Sequence, residues 1–163
     1  GVSGHQAELE RFKPEAERLE RGGDYGAVAE LRYGKIPELE KKIAAGAEYI
    51  VTQPVFDIRI LESFMKRIAH VKLPILCGIW PLTSYRNAEF MNNEVPGASV
   101  PPDVLERMRK TTTKEEGFAE GVAIARETYE HIRGEVAGVQ LAAPMGRVEG
   151  VLSILGGPPQ VAG

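Results

Sequence analysis

Gly46-Ala47-Glu48-Tyr49-Ile50-Val51-Thr52-Gln53-Pro54-Val55-Phe56-Asp57 is the stretch whose reading decides the fold. Its apolar run, 49–51, is too short for a helix and is bounded by Gly46 and Pro54, so it reads as a strand buried on both faces. The run ends in Thr52-Gln53. In parallel α/β sheets the polar residues that do chemistry stand just past the carboxyl ends of such strands. Gln53 occupies that position.

Outward from this stretch, strand-like runs alternate with helix-like ones, the pattern of βα units around a parallel sheet. Residues 2–4, 49–52, 74–79 and 138–142 are the strand candidates. Pro14 and Pro37 suit the first turns of helices, and Gly22-Gly23 and Gly46 suit the matching ends. Asp57 can cap a helix whose apolar face is Ile60, Leu61, Phe64, Met65 and Ile68. Thr113 and Glu116 have capping-box spacing, and Phe118, Val122, Ala125, Tyr129 and Ile132 follow at steps of three and four. A short helix over 148–155 is expected to end at Gly156-Gly157, with 158–163 as a frayed tail. The stretch 92–102, rich in Asn, Gly, Ser and Pro, reads as an ordered loop. Four strands with helices between them make either a small open sheet or half of an eight-stranded barrel of ~250 residues.

Composition narrows the function classes. With 163 residues, 43% of them hydrophobic and 26% charged, the chain has the apolar content of one folded domain. Twenty Lys and Arg against 23 Asp and Glu leave a net charge of -3, so no basic field points to nucleic acid or an anionic membrane. A small-molecule partner is the better expectation. The one cysteine, Cys77, lies in an apolar run and reads as a small core residue; it implies neither a disulfide framework nor a Cys-rich metal site. No apolar stretch approaches the ~20 residues that span a bilayer, and no signal-peptide pattern opens the chain, so a cytoplasmic location is expected. Because Gly1-Val2-Ser3 already reads as the inside of a strand, the chain looks cut from something longer.

Three segments together resemble the methylenetetrahydrofolate reductase family. They are Lys41-Lys42-Ile43-Ala44-Ala45-Gly46-Ala47 running into Thr52-Gln53-Pro54-Val55-Phe56-Asp57, then Pro74-Ile75-Leu76-Cys77-Gly78-Ile79-Trp80-Pro81-Leu82-Thr83-Ser84-Tyr85-Arg86-Asn87-Ala88-Glu89-Phe90, then Gly138-Val139-Gln140-Leu141-Ala142-Ala143-Pro144-Met145-Gly146-Arg147. Their order and spacing, over 35–155, are similar to the last part of that family's barrel. The wording of the second and third is closest to bacterial proteins that fuse the reductase to a homocysteine S-methyltransferase.

The resemblance implies an α/β chain forming a partial (βα)8 TIM barrel, strands five to eight over residues 1–157. It implies a flavin enzyme that passes a hydride from NAD(P)H to FAD and on to 5,10-methylenetetrahydrofolate, giving 5-methyltetrahydrofolate. Gln53 matches a pterin-contacting glutamine, and a primary amide offers a donor and an acceptor at once, as a pterin edge requires. On its own, Gln53 reads first as a loop cap; beside the resemblance it reads as a ligand contact. Asn87 stands at a second amide position on the pterin side, and Met91 where the family often has a stacking aromatic. Arg147 matches a folate-binding arginine, with pairing to Glu149 as the alternative. Lys42 matches a lysine that contacts FAD, with Lys41 at a second basic position; Lys35 and Glu38 stand where the family has Asp and Asn. His5 is the nearest counterpart of a flavin-contacting histidine, without the family's surrounding residues.

His70 and His131 fall at predicted helix ends and read as partners of the helix dipole. Residues 8–34 carry no feature of the family. The family's acidic catalytic residues come from the first strands of the barrel, so no catalytic residue and no metal ligand is assigned here. A half barrel has two open edges and is expected to form a homo-oligomer or to pair with the missing half.

Overall fold

The computed structural model describes residues 36–156. The expected strand 2–4, His5, the helix opened by Pro14, residues 8–34 and the tail 158–163 lie outside the described residues. Contacts divide the chain into two compact units, residues 1–48 with 59–73, and residues 49–58 with 74–163.

In the first unit, helix α1 (Ile36–Ala44) carries Pro37 in its opening turn, where a missing N–H costs nothing. The chain leaves it through Gly46 at φ +101, a conformation that favours glycine. Helix α2 (Ile58–Arg67), which belongs to this unit from Arg59 onward, buries Ile60, Leu61 and Phe64, with Ile68 buried just beyond its end. Met65 is only half-buried. Beyond α2, His70 Nε2 lies 3.0 Å from Glu40 Oε1 of α1. Its recorded partner is therefore a carboxylate rather than a helix end.

The second unit holds a parallel three-stranded sheet in the order β1-β2-β3, with β1 (Ile50–Pro54), β2 (Ile75–Ile79) and β3 (Gly138–Leu141). All three lie within a residue or two of their expected places. The expectation that β1 is buried on both faces is corrected: Thr52 and Pro54 are buried, but Val51 is 45% exposed and Gln53 is exposed. One face of this strand is covered and the other open, so the short apolar run hides a period of two.

Between β2 and β3 run three helices where the sequence predicted one. Helix α3 (Tyr85–Glu94) buries only Ala88 and Met91, and α4 (Pro102–Arg109) begins at a Pro-Pro pair that reads as a breaker but fits a helix's first turn. The expected loop 92–102 therefore loses both ends to helices. Its remainder is ordered, with the Val100 amide donating to Asn92 Oδ1 at 3.0 Å.

Helix α5 (Lys114–Ile132) starts at the predicted capping box, Thr113 accepting from the Glu116 amide while the Glu116 side chain returns to the Thr113 backbone. Its buried stripe differs from the predicted one. Gly117, Gly121, Ile124, Ala125, Thr128 and Ile132 face inward, and Phe118, Val122 and Tyr129 sit half-buried at the margin. The core of this unit gathers Phe56, Leu82, Ala88, Met91, Val104, Met108 and Ile124 with Ala98 and Val100 of the ordered loop. After β3 a 3₁₀ turn (Pro144–Gly146) leads into α6 (Val148–Leu152) and a second 3₁₀ turn (Ser153–Leu155). No described helix is long and apolar enough to cross a membrane.

Candidate functional site

The candidate site forms at the carboxyl edge of the sheet. Between Val51↔Leu76 and Pro54↔Gly78 the register slips, so β1 carries one residue more than β2 and bulges at Thr52-Gln53. The Thr52 hydroxyl fills the gap in the ladder: it accepts from the Gly78 amide at 3.0 Å and donates to the Gln53 carbonyl at 2.9 Å. The Val55 amide then returns to the Gly78 carbonyl at 3.0 Å. A side chain at 78 would be crowded here, since its Cβ would lie 3.0 Å from the Thr52 carbonyl oxygen and 3.2 Å from that of Gln53, and the bulged backbone would have to give by a few tenths of an ångström. Bulges re-aim side chains at sheet edges. This one leaves Thr52 buried and Gln53 exposed.

Beyond β2 the chain runs through exposed Trp80, buried Pro81 and buried Leu82 to Ser84, the N-cap of α3. The Asn87 amide donates to Ser84 Oγ at 3.0 Å, and Asn87 Oδ1 accepts from the Thr83 amide at 3.1 Å. Asn87 thus closes the turn with its oxygen and keeps its amide nitrogen for another partner. Helix α5 holds this loop from behind. A Cβ on Gly117 would come within 2.6 Å of the Thr83 carbonyl oxygen, and one on Gly121 would overlap the carbonyl of Leu82. Gly117-x-x-x-Gly121 is the sequence signal for this approach, and a reading by apolar residues alone passes over it. Met91 is buried in the core and offers no surface to a ligand.

Past β3, Met145 adopts the left-handed conformation at φ 55 and Gly146 follows at φ +71, turning the chain sharply. Arg147 emerges exposed, its guanidinium carbon 5.0 Å from the centre of the Phe118 ring of α5. This is stacking distance for a cation on an aromatic face. Phe118 also fills the space above Gly150, whose Cβ would meet its Cε1 at 2.5 Å.

Gln53 lies inside β1, as its penultimate residue and not past its end, while Asn87 and Arg147 stand in the segments that follow β2 and β3; all three belong to one compact unit. Lys41 and Lys42 are exposed in the last turn of α1, in the other unit. Successive helical residues do not face each other, and the carbonyl end of a helix disfavours anions. The helix dipole at this end therefore works against an anion held by the pair. His5 lies outside the described residues, among which no group of three His, Cys, Asp or Glu side chains could hold a metal ion. Cys77, fully buried beside this edge, has its thiol pushed up to about 11 by desolvation, against a smaller opposing effect of its hydrogen bond with Thr52.

The model of the methylenetetrahydrofolate reductase family matches residues 29–143. That span includes Lys41, Lys42, Gln53 and Asn87 and stops short of Arg147; most of residues 8–34 lie before it. Among curated proteins, the chaperone protein ClpB of Corynebacterium diphtheriae is 64% identical over 71 residues, 44% of this chain and 8% of that protein. ClpB of Corynebacterium efficiens is 65% identical over 43 residues, 26% of this chain and 5% of its own length. The chain spans less than a tenth of the length of these relatives. Only residues 1–28 and 144–163 fall outside the reductase match, fewer than 71, so the two likenesses share part of the chain. A solved structure described as an uncharacterized protein from Clostridium thermocellum that binds two copies of 5-methyl-5,6,7,8-tetrahydrofolic acid aligns at a TM-score of 0.49 and 16% identity, covering 85% of this chain and 49% of that one.

Proposed function

The chain belongs to the methylenetetrahydrofolate reductase family, and we propose on that footing that it is part of a flavin-dependent oxidoreductase reducing 5,10-methylenetetrahydrofolate to 5-methyltetrahydrofolate with NAD(P)H. In this reading β1, β2 and β3 are the last strands of a (βα)8 barrel, and the open face of β1 is its interior side. The observation that carries it is the Thr52-Gln53 bulge, seated against Gly78, which turns a primary amide outward at the carboxyl edge of a parallel sheet.

Each residue then has a task set by its chemistry. Gln53 offers the pterin edge a donor and an acceptor together. Asn87, with its oxygen engaged by the Thr83 amide, adds a donor. Arg147 holds a folate carboxylate, its guanidinium steadied by Phe118. Lys42, with Lys41 beside it, is assigned to a flavin phosphate on the family resemblance alone. FAD, when bound, carries the hydride between nicotinamide and folate; the residues described here bind and orient, and none of them moves the proton of that reaction. A reducing, cytoplasmic setting suits the buried free thiol of Cys77.

Calorimetric titration with (6S)-5-methyltetrahydrofolate tests the reading. Gln53→Ala should weaken binding about tenfold or more, because a site built to hydrogen-bond its ligand is left with an unpaired group. Equal affinity of the variant and the parent would remove Gln53 from the pterin.

A different observation favours a second reading. The 64% identity to a chaperone over 71 residues suits a non-catalytic module whose business is protein contact. β1 and β3 each pair only with β2 among the described residues, and such edges invite pairing. Sedimentation velocity with added FAD and folate separates the two: a stable colourless oligomer that takes up neither supports the module.

A further inference from the structure

We propose that Trp80 is the aromatic wall of the folate site, the surface on which the pterin ring stacks; the inference rests on the folate reading above. Trp80 is the first residue past β2 and is 44% exposed, although its neighbours Ile79 and Leu82 are each 1% exposed and Pro81 is buried. The backbone on both sides is thus anchored in the core while the indole is left facing out. The exposed indole thus presents an apolar ring, with its one N–H, to whatever binds at this edge.

The register shows what lies beside it. Side chains alternate across a strand, so Leu76, Gly78 and Trp80 form one row. Gly78 pairs with Gln140 of β3 on one side and abuts the Thr52-Gln53 bulge on the other. Gln53 and Gln140 are both exposed, and Gly78 between them has no side chain. Two amides thus flank a bare backbone position, on strands that ordinary spacing sets ~10 Å apart. Trp80 follows in the same row, one residue past the end of β2. A flat bicyclic ring with donors and acceptors on its edge matches the combination of an aromatic face and lateral amides.

Among the described residues, the other exposed aromatic rings do not compete. Tyr49 precedes the amino end of β1, and Phe90 lies within α3. Met91, at the position where a stacking aromatic was expected, is buried in the core. Trp80 supplies the ring from a different point on the same edge.

Trp80 is the only tryptophan in the chain, so its emission reports on this place alone. Titrating the intact chain with (6S)-5-methyltetrahydrofolate should quench that emission to saturation, with the same midpoint as calorimetric binding. Stacking on an aromatic side chain supports roughly a tenfold or larger affinity loss in Trp80→Ala, with Trp80→Phe within about threefold of the parent. Trp80→Leu keeps the apolar bulk without the ring and should weaken binding like Trp80→Ala, so a folding defect in the smaller variant leaves the test intact. If Gln53→Ala loses affinity while Trp80→Leu binds as the parent does, the folate reading stands and the aromatic wall is refuted. If the parent chain binds no folate, both fall together.

Discussion

The Gly78 amide donates to the Thr52 hydroxyl at 3.0 Å, and the same hydroxyl donates to the Gln53 carbonyl at 2.9 Å. One side chain thus stands in for a missing rung of the parallel ladder and sets the peptide that carries Gln53. The arrangement links fold to site, because the bulge that leaves Gln53 exposed is held by that hydroxyl and packs closely on the bare Cα of Gly78.

Thr52→Val keeps the shape and removes the hydroxyl, leaving a buried amide unpaired. Urea unfolding should show a loss of about 1–3 kcal/mol, with Thr52→Ser close to the parent. Folate affinity should fall in the valine variant as well, since the Gln53 peptide is no longer held. Equal stability of the valine and serine variants would show that the hydroxyl does not complete the ladder.

Gly121 faces the Leu82 carbonyl with no room for a methyl group. Gly121→Ala must push α5 off the loop that carries Trp80 and leads into α3, at a cost of ~3 kcal/mol in thermal or urea unfolding. Gly134→Ala, where a Cβ meets nothing within 4 Å, is the control and should melt with the parent. An unchanged midpoint for Gly121→Ala would disprove the close approach.

Arg107 of α4 bridges to α5, its Nε 2.6 Å from Glu120 and its two terminal nitrogens 2.7 and 2.9 Å from Glu127. The Arg107 hydrogen bonds hold the Glu127 carboxyl below its usual value, against a smaller opposing effect of burial. A folded-state value below the unfolded one adds stability above pH ~4.5, and that increment disappears as acid protonates the carboxylate. Solvent screens this pair, so Arg107→Ala should cost about 0.5–1 kcal/mol at neutral pH. The gap between variant and parent in urea midpoints should narrow below pH ~4; a gap independent of pH would assign the effect to packing.

Cys77 should be inert in the native chain. Its thiol, raised to about 11 by burial, leaves little thiolate at pH 8. A disulfide exchange reagent should find no reactive sulfur until denaturant is added, and then one. Rapid native labelling would mean that this part of the sheet opens far more readily than its burial implies.

Much of this was legible residue by residue. Thr113 and Glu116 announce the start of α5 because a capping box is satisfied within one turn. The strand at 50–54 announces itself through a short apolar run that begins after Gly46 and closes on Pro54. Helices α3 and α4 were not legible: Tyr85–Glu94 is polar along most of its length, and Pro101-Pro102 reads as a break until the helix that follows is seen. The buried stripe of α5 was misplaced because its contact residues are glycines and a threonine, which apolar periodicity does not count. Gln53 lies within the end of β1 and Asn87 in the first turn of α3, and the contact of Arg147 with the Phe118 ring joins segments that no local pattern connects.

By itself the sequence determined the parallel βα alternation, the place of each described strand and the helix cap at Thr113, because periodicity and capping are satisfied by neighbours a few residues away. Only the tertiary structure decided the bulge at Thr52-Gln53, the contact of Gly121 with Leu82 and the exposure of Trp80. Each of these depends on which distant backbone comes within a few ångströms, and that proximity is a property of the packed sheet and helices rather than of any one segment.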